Sequence, residues 1–184
     1  MCINLTLFTV SPEDSVAVSP LDIISSLGDS VMFVCTAMGG PGTSFEWLLN
    51  GTFIGNNSVL NLEKIDALYG GNYTCTVSNA AGTDSASTML YVVPYIVTPL
   101  SEQILITNGS SVNINCESAG FPYPTVTWVD TQGLQVSSTL QLQFNPIMFG
   151  DEGIYSCIAS AVINRTNFTA LNTTNLTGNY IFKL

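Results

Sequence analysis

Gly71-Asn72-Tyr73-Thr74-Cys75 and Gly153-Ile154-Tyr155-Ser156-Cys157 are two copies of one pattern, Gly-x-Tyr-x-Cys. Reading outward from them, each has an earlier cysteine, Cys35 and Cys116, at separations of 40 and 41 residues. Each also has a tryptophan, Trp47 and Trp128, at the same distance after that earlier cysteine. A chain that repeats Cys, Trp and Tyr-x-Cys at matched intervals repeats a structural unit. The physical reason for the interval is a β-sandwich. One strand carries the first cysteine, the next carries the tryptophan, and a later one carries Tyr-x-Cys. The two cysteines then face each other from opposite sheets, the indole packs on the bridge, and the tyrosine hydroxyl fastens the corner before its strand. A bridge that closes a loop of this length stabilises by roughly 4 kcal/mol in the chain-entropy model.

Periodicity agrees. Val112 and Ile114 alternate with Asn113 and Asn115, Val126 and Trp128 with Thr127 and Val129, and Leu140, Leu142 and Phe144 with Gln141 and Gln143. In the first repeat Val31, Phe33 and Cys35 share a face, as do Leu60 and Leu62, and Tyr73, Cys75 and Val77. A period of two is that of half-buried strands. No segment has a helical period. Gly39-Gly40-Pro41-Gly42, Asn50-Gly51 and Asn108-Gly109 punctuate the strands.

These residues resemble the immunoglobulin superfamily, its intermediate-set branch most closely, over about Ser11 to Leu184. In the first repeat the resemblance rests on Gly28-Asp29-Ser30-Val31, Cys35, Trp47, Leu60-x-Leu62, Tyr73-x-Cys75 and Asn79-Ala80-Ala81-Gly82. In the second it rests on Gly109-Ser110-Ser111-Val112, Cys116, Gly120-Phe121-Pro122-x-Pro124, Trp128 and Asp151-x-Gly153-x-Tyr155-x-Cys157. It implies an all-β chain of two tandem Greek-key sandwiches, each with one internal disulfide. The expected layout is an N-terminal extension over 1–10, a first domain over 11–93 and a second over 94–184, with almost no linker at Val93-Pro94-Tyr95. One departure is that Tyr69 stands where the first repeat should carry the corner aspartate, with Asp66 nearby. The last strand has two candidates, Phe168–Leu171 and Tyr180-x-Phe182-x-Leu184. The second alternates better, which makes residues 161–178 a long hairpin loop.

Charge excludes several functions. Of 184 residues only 9% are charged, three are basic, and the net charge is −10. Nucleic acid, polyanions and anionic membranes need clustered Lys and Arg. No stretch is long and apolar enough to span a bilayer, so any membrane anchor of the parent protein is expected outside this fragment. The start at Met1 lacks the pattern of a signal peptide and reads as an expression start or a trimmed end.

Nine Asn-x-Ser/Thr sequons occur, at Asn4, Asn50, Asn56, Asn72, Asn108, Asn164, Asn167, Asn172 and Asn175. With two expected disulfides they point to secretion and to N-linked glycans, which would solubilise a surface poor in charge. The plainer reading is that Asn and Thr suit turns and strand surfaces. The cluster from Asn164 to Asn175 fits an exposed loop. Cys2 is left without a partner and reads as a free thiol near an end, or as a bridge to another segment or chain.

Catalysis is not expected. With no histidine in the chain a Ser-His-Asp or Cys-His arrangement cannot form, and no phosphate loop precedes a helix. The acidic pairs Glu13-Asp14 and Asp151-Glu152 read as an exposed strand region and a structural corner. No loop has the oxygen-ligand spacing of a calcium site. Neither cofactor nor metal is expected.

Binding remains, through a protein partner, a second copy of the chain included. If Leu90 and Val92 point into the core, then Met89, Tyr91 and Val93 point out. Leu48 should face outward on the adjoining tryptophan strand, near Phe53. An exposed apolar sheet face is a candidate partner site. The plainer reading is scattered surface hydrophobes or cover by the N-terminal segment, and a glycan on Asn72 would blunt the face. Phe121-Pro122-Tyr123-Pro124 could contact a partner, or its prolines could be the family's usual loop shape and its rings could cap the core or the domain junction. The expected role is an extracellular recognition module of a cell-surface adhesion molecule or receptor, a receptor tyrosine kinase among the options. The alternative is a spacer pair of a matrix or muscle-type protein.

Overall fold

The computed structural model describes residues 16–38 and 42–179. Cys2, Asn4, Glu13-Asp14 and Tyr180-x-Phe182-x-Leu184 therefore lie outside the described residues. The described chain holds no α-helix, only strands and two short 3-10 turns, Ala67–Tyr69 and Phe149–Asp151. It divides into two compact units, Met1–Val92 and Val93–Leu184.

The first unit contains β1 (Ala17–Ser19), β2 (Ile23–Ser25), β3 (Val31–Thr36), β4 (Ser44–Leu49), β5 (Thr52–Gly55), β6 (Val59–Leu62), β7 (Gly71–Asn79) and most of β8 (Gly82–Ile96). One sheet has the order β1-β3-β6; the other runs β8-β7-β4-β5, with β2 laid parallel against β8. Side chains alternate as the sequence expects. Val31, Phe33 and Cys35 of β3 are buried, as are Tyr73, Cys75 and Val77 of β7. Phe33 holds the core together, its ring centroid 6.1 Å from Trp47 and 5.0 Å from Tyr73. The turn between β4 and β5 is Asn50-Gly51, both at positive φ (50° and 85°), the conformation that matches the twist of a two-residue hairpin.

The second unit takes the end of β8, then β9 (Gln103–Ile106), β10 (Val112–Asn115), β11 (Ser118–Phe121), β12 (Thr125–Val129), β13 (Gln135–Ser137), β14 (Gln141–Phe144), β15 (Gly153–Ile163) and β16 (Thr166–Gly178). β10 pairs with β14, and the facing sheet has the order β13-β12-β15-β16-β9. β9 is parallel to β16, as β2 is to β8. Its core gathers Ile106, Ile114, Trp128, Leu142, Ile147 and Leu176 around the cysteines.

The end of the second unit corrects the sequence reading. Residues 161–178 are not a loop. β15 and β16 pair without a break from Ile163↔Thr166 to Gly153↔Leu176. The connection is the two-residue turn Asn164-Arg165, both at positive φ (49° and 67°). The alternation in β16 is disguised because its polarity is inverted in places. Thr174 is buried, whereas Leu171 is 61% exposed. A chemical pattern search reads such a strand as polar and irregular, although its backbone period is regular.

Candidate binding face

Each sandwich is fixed by the same construction. Trp47 lies directly opposite Cys75, and Trp128 opposite Cys157, in the strand register. This register is why the tryptophan interval recurs. The bridges Cys35–Cys75 and Cys116–Cys157 both span 6.3 Å between Cα atoms. Both indoles are fully buried, but their polar atoms fare differently. The Trp47 Nε1–H donates to Asn57 O at 2.9 Å, whereas the Trp128 Nε1–H meets no acceptor among the described residues.

The tyrosine corners match as well. Tyr73 Oη–H donates to Tyr69 O at 2.7 Å, and Tyr155 Oη–H to Asp151 O at 3.0 Å. Burial, and next the neighbouring Tyr69, pushes the Tyr73 hydroxyl pKa well above its ordinary value. Burial, then the charges of Asp151 and Asp130, raises that of Tyr155. The missing corner aspartate of the first repeat is replaced from the other end of the turn. Asp66 Oδ1 accepts the Leu68 N–H at 2.8 Å, and Asp151 Oδ2 accepts the Met148 N–H at 2.8 Å. Asp151 therefore serves the turn. Among the described residues no three His, Cys, Asp or Glu side chains converge as metal ligands.

The four residues expected to form a contact face lie on one sheet. Leu48 of β4 pairs with Phe53 of β5, and Phe53 is 58% exposed. Two strands away Met89 and Tyr91 lie half-buried on the outward side of β8. Ile24, which the sequence reading did not include, stands opposite Tyr91 on β2 and is exposed. Its strand is only three residues long, too short for a period to announce it. β7 separates the two halves of the face. Its outward residues there are Asn72, paired with Met89, and Thr74, paired with Leu48. Both belong to one sequon.

Other sequons take varied positions. Asn56 is exposed between strands. Asn50 Oδ1 accepts the Asn72 N–H at 3.0 Å, and Asn108 Oδ1 accepts the Phe149 N–H at 3.3 Å. In the Phe121–Pro124 loop Pro124 is buried, but Tyr123 is 68% exposed. The Tyr123 ring therefore does not cap the core.

The immunoglobulin domain family profile matches residues 5–79 and again 93–161, once in each repeat. The chain belongs to that family. Its immunoglobulin domains are 30% identical to part of hemicentin-2 of Mus musculus, over 76% of this chain and 3% of that protein. They are 29% identical to part of the basement membrane-specific heparan sulfate proteoglycan core protein of Mus musculus, over 73% of this chain and 4% of that one. The chain thus spans a few per cent of the length of these relatives. Among solved structures, the insect immune protein hemolin aligns with a TM-score of 0.58 at 22% identity, over 94% of this chain and 47% of that one. A two-domain titin fragment, A168169, aligns at 0.65 and 17% identity, over 94% and 100%. At these identities the structural likeness is one of fold. The named sequence relatives support an extracellular role for this immunoglobulin pair.

Proposed function

We propose that this immunoglobulin pair is an extracellular recognition module that binds protein, and that the outward face of β5-β4-β7-β8 is where it does so. The observation that carries the reading is the exposed Phe53 beside Leu48, with Met89, Tyr91 and Ile24 on the same face. An exposed apolar patch on a solvent-facing sheet is a candidate interaction surface, here in two halves on either side of Asn72 and Thr74. The partner proposed is a second copy of the chain. The domain arrangement of hemolin has implications for homophilic adhesion of that protein, and a sheet face of this kind can pair with itself across a two-fold axis.

Sedimentation velocity of the secreted chain over a wide concentration range tests this. A reversible dimer is expected, weakened at least tenfold by Leu48→Ser with Tyr91→Ser. Unchanged association in that variant overturns the face. Asn72→Gln, which removes the sequon beside Met89, is expected to strengthen association. A strict monomer at every concentration favours the second reading, a spacer pair in a matrix protein. That reading draws support from the names of the relatives, a basement membrane core protein and a matrix-remodeling-associated protein among them.

A further inference from the structure

β16 carries three sequon asparagines, Asn167, Asn172 and Asn175, and the turn before it carries Asn164. Because a strand sends successive side chains to opposite faces, these three cannot be equivalent. Asn167 and Asn175 share the outward phase with the exposed Leu171, and Asn172 shares the inward phase with the buried Thr174 and Leu176. Asn172 lies in register with Cys157, and its Oδ1 accepts the Leu100 N–H at 3.2 Å. Thr174, which completes the Asn172 sequon, has its Oγ1 buried without a partner among the described residues. The Thr174 hydroxyl is therefore buried, and Asn172, half-buried as Asn175 is, differs from it in lying on the inward phase with its Oδ1 engaged by Leu100.

Resting on the extracellular reading above, we infer that N-glycans are carried on Asn167 and Asn175 but not on Asn172 in the mature protein. An N-glycan is bulky and solubilising and needs the surface. A chain modified on Asn172 would have to fit a sugar at a half-buried position on the inward phase of β16, against Leu100, or give up the β16 pairing. Such chains do not fold and are lost before secretion.

The outward pair also has something to cover. Asn167 stands opposite Val162, and Asn175 opposite Ile154, both exposed apolar side chains. Midway between them Leu171 pairs with Ile158. Each asparagine lies four residues from Leu171, about 13 Å along the strand. Two sugar chains so placed screen an apolar sheet face that has few charges to keep it apart from its neighbours.

The test is a glycopeptide map of the full chain secreted from eukaryotic cells. The glycans are removed with peptide N-glycosidase in heavy-oxygen water, which marks each formerly occupied asparagine. Trypsin then isolates Thr166–Lys183, because Arg165 and Lys183 are basic and no basic residue lies between them, and chymotrypsin divides it after Leu171. Marks on Asn167 and Asn175 with none on Asn172 are expected. A comparable mark on Asn172, or bare Asn167 and Asn175 in a chain marked elsewhere, overturns this inference alone. A chain bare at every sequon overturns the extracellular reading with it. As a second measure, Asn167→Gln with Asn175→Gln should lower the intact mass by two glycans and Asn172→Gln by none; the reverse result refutes the assignment.

Discussion

The two indoles occupy the same place in their sandwiches but are tied differently, and this separates packing from hydrogen bonding. Replacing either by phenylalanine leaves a cavity of similar size. Only Trp47→Phe also strips the Asn57 carbonyl of its donor. A net hydrogen bond is worth about 1 kcal/mol, so Trp47→Phe should destabilise its unit by about that much more than Trp128→Phe does. Equilibrium unfolding in guanidinium followed by far-ultraviolet circular dichroism checks it. Tyr73 gives a pH signature. Its folded pKa lies above the unfolded value of about 10, because burial disfavours the phenolate. Its contribution is therefore complete below pH of about 10 and is lost as pH rises toward the folded pKa, where the unfolded chain sheds a proton that the folded chain keeps. Tyr73→Phe should flatten the alkaline fall in stability seen in the parent, measured as denaturant midpoint against pH. At this scale the sequence was almost fully legible. Cysteine, tryptophan and tyrosine announce themselves by chemistry and interval. Asp151 did so too, as the corner residue, whereas the role of Asp66 was hidden because it acts from the opposite end of its turn.

At the level of elements, the glycine that opens each Tyr-x-Cys strand is a natural comparison. Gly71 and Gly153 both have positive φ, 152° and 147°. A Cβ on Gly71 would come 2.7 Å from Asn50 Oδ1 and 2.8 Å from Leu49 Cδ1, and one on Gly153 would meet nothing within 4 Å. Alanine at either position costs about 1–3 kcal/mol of backbone strain. At Gly71 it should cost about 1–3 kcal/mol more from overpacking, since Asn50 is held by the Asn72 N–H. Denaturant midpoints of the two variants decide it. Strand β16 marks where legibility ended. Its inward Asn172 and Thr174 and its outward Leu171 reverse the usual chemistry, and Asn164-Arg165 forms a tight turn without the expected glycine. The sequons that suggested a loop are spread over both faces of a strand. The proposed contact face was legible in part. Met89 and Tyr91 followed from alternation along β8, while Ile24 depended on a parallel pairing that no local pattern encodes.

Over the whole molecule, what stands out is how few cations there are and where they sit. Of three basic residues, Lys64 and Arg165 both adopt positive φ, 54° and 67°. Lys64 precedes the fully buried Ile65, whose backbone is bonded to Gly28 and Asp29. Arg165 closes the two-residue turn between β15 and β16. A protease must draw several residues around its target bond into an extended shape, which neither turn permits without opening its strands. Trypsin should therefore leave the folded chain intact at Lys64 and Arg165. When opening is fast relative to cleavage, the rate reports the population of the open form. Because Lys64 lies in one unit and Arg165 in the other, the two fragment series should read out the opening of each domain separately, with no label attached. The scarcity of positive charge thus equips the molecule with one intrinsic unfolding clock per domain.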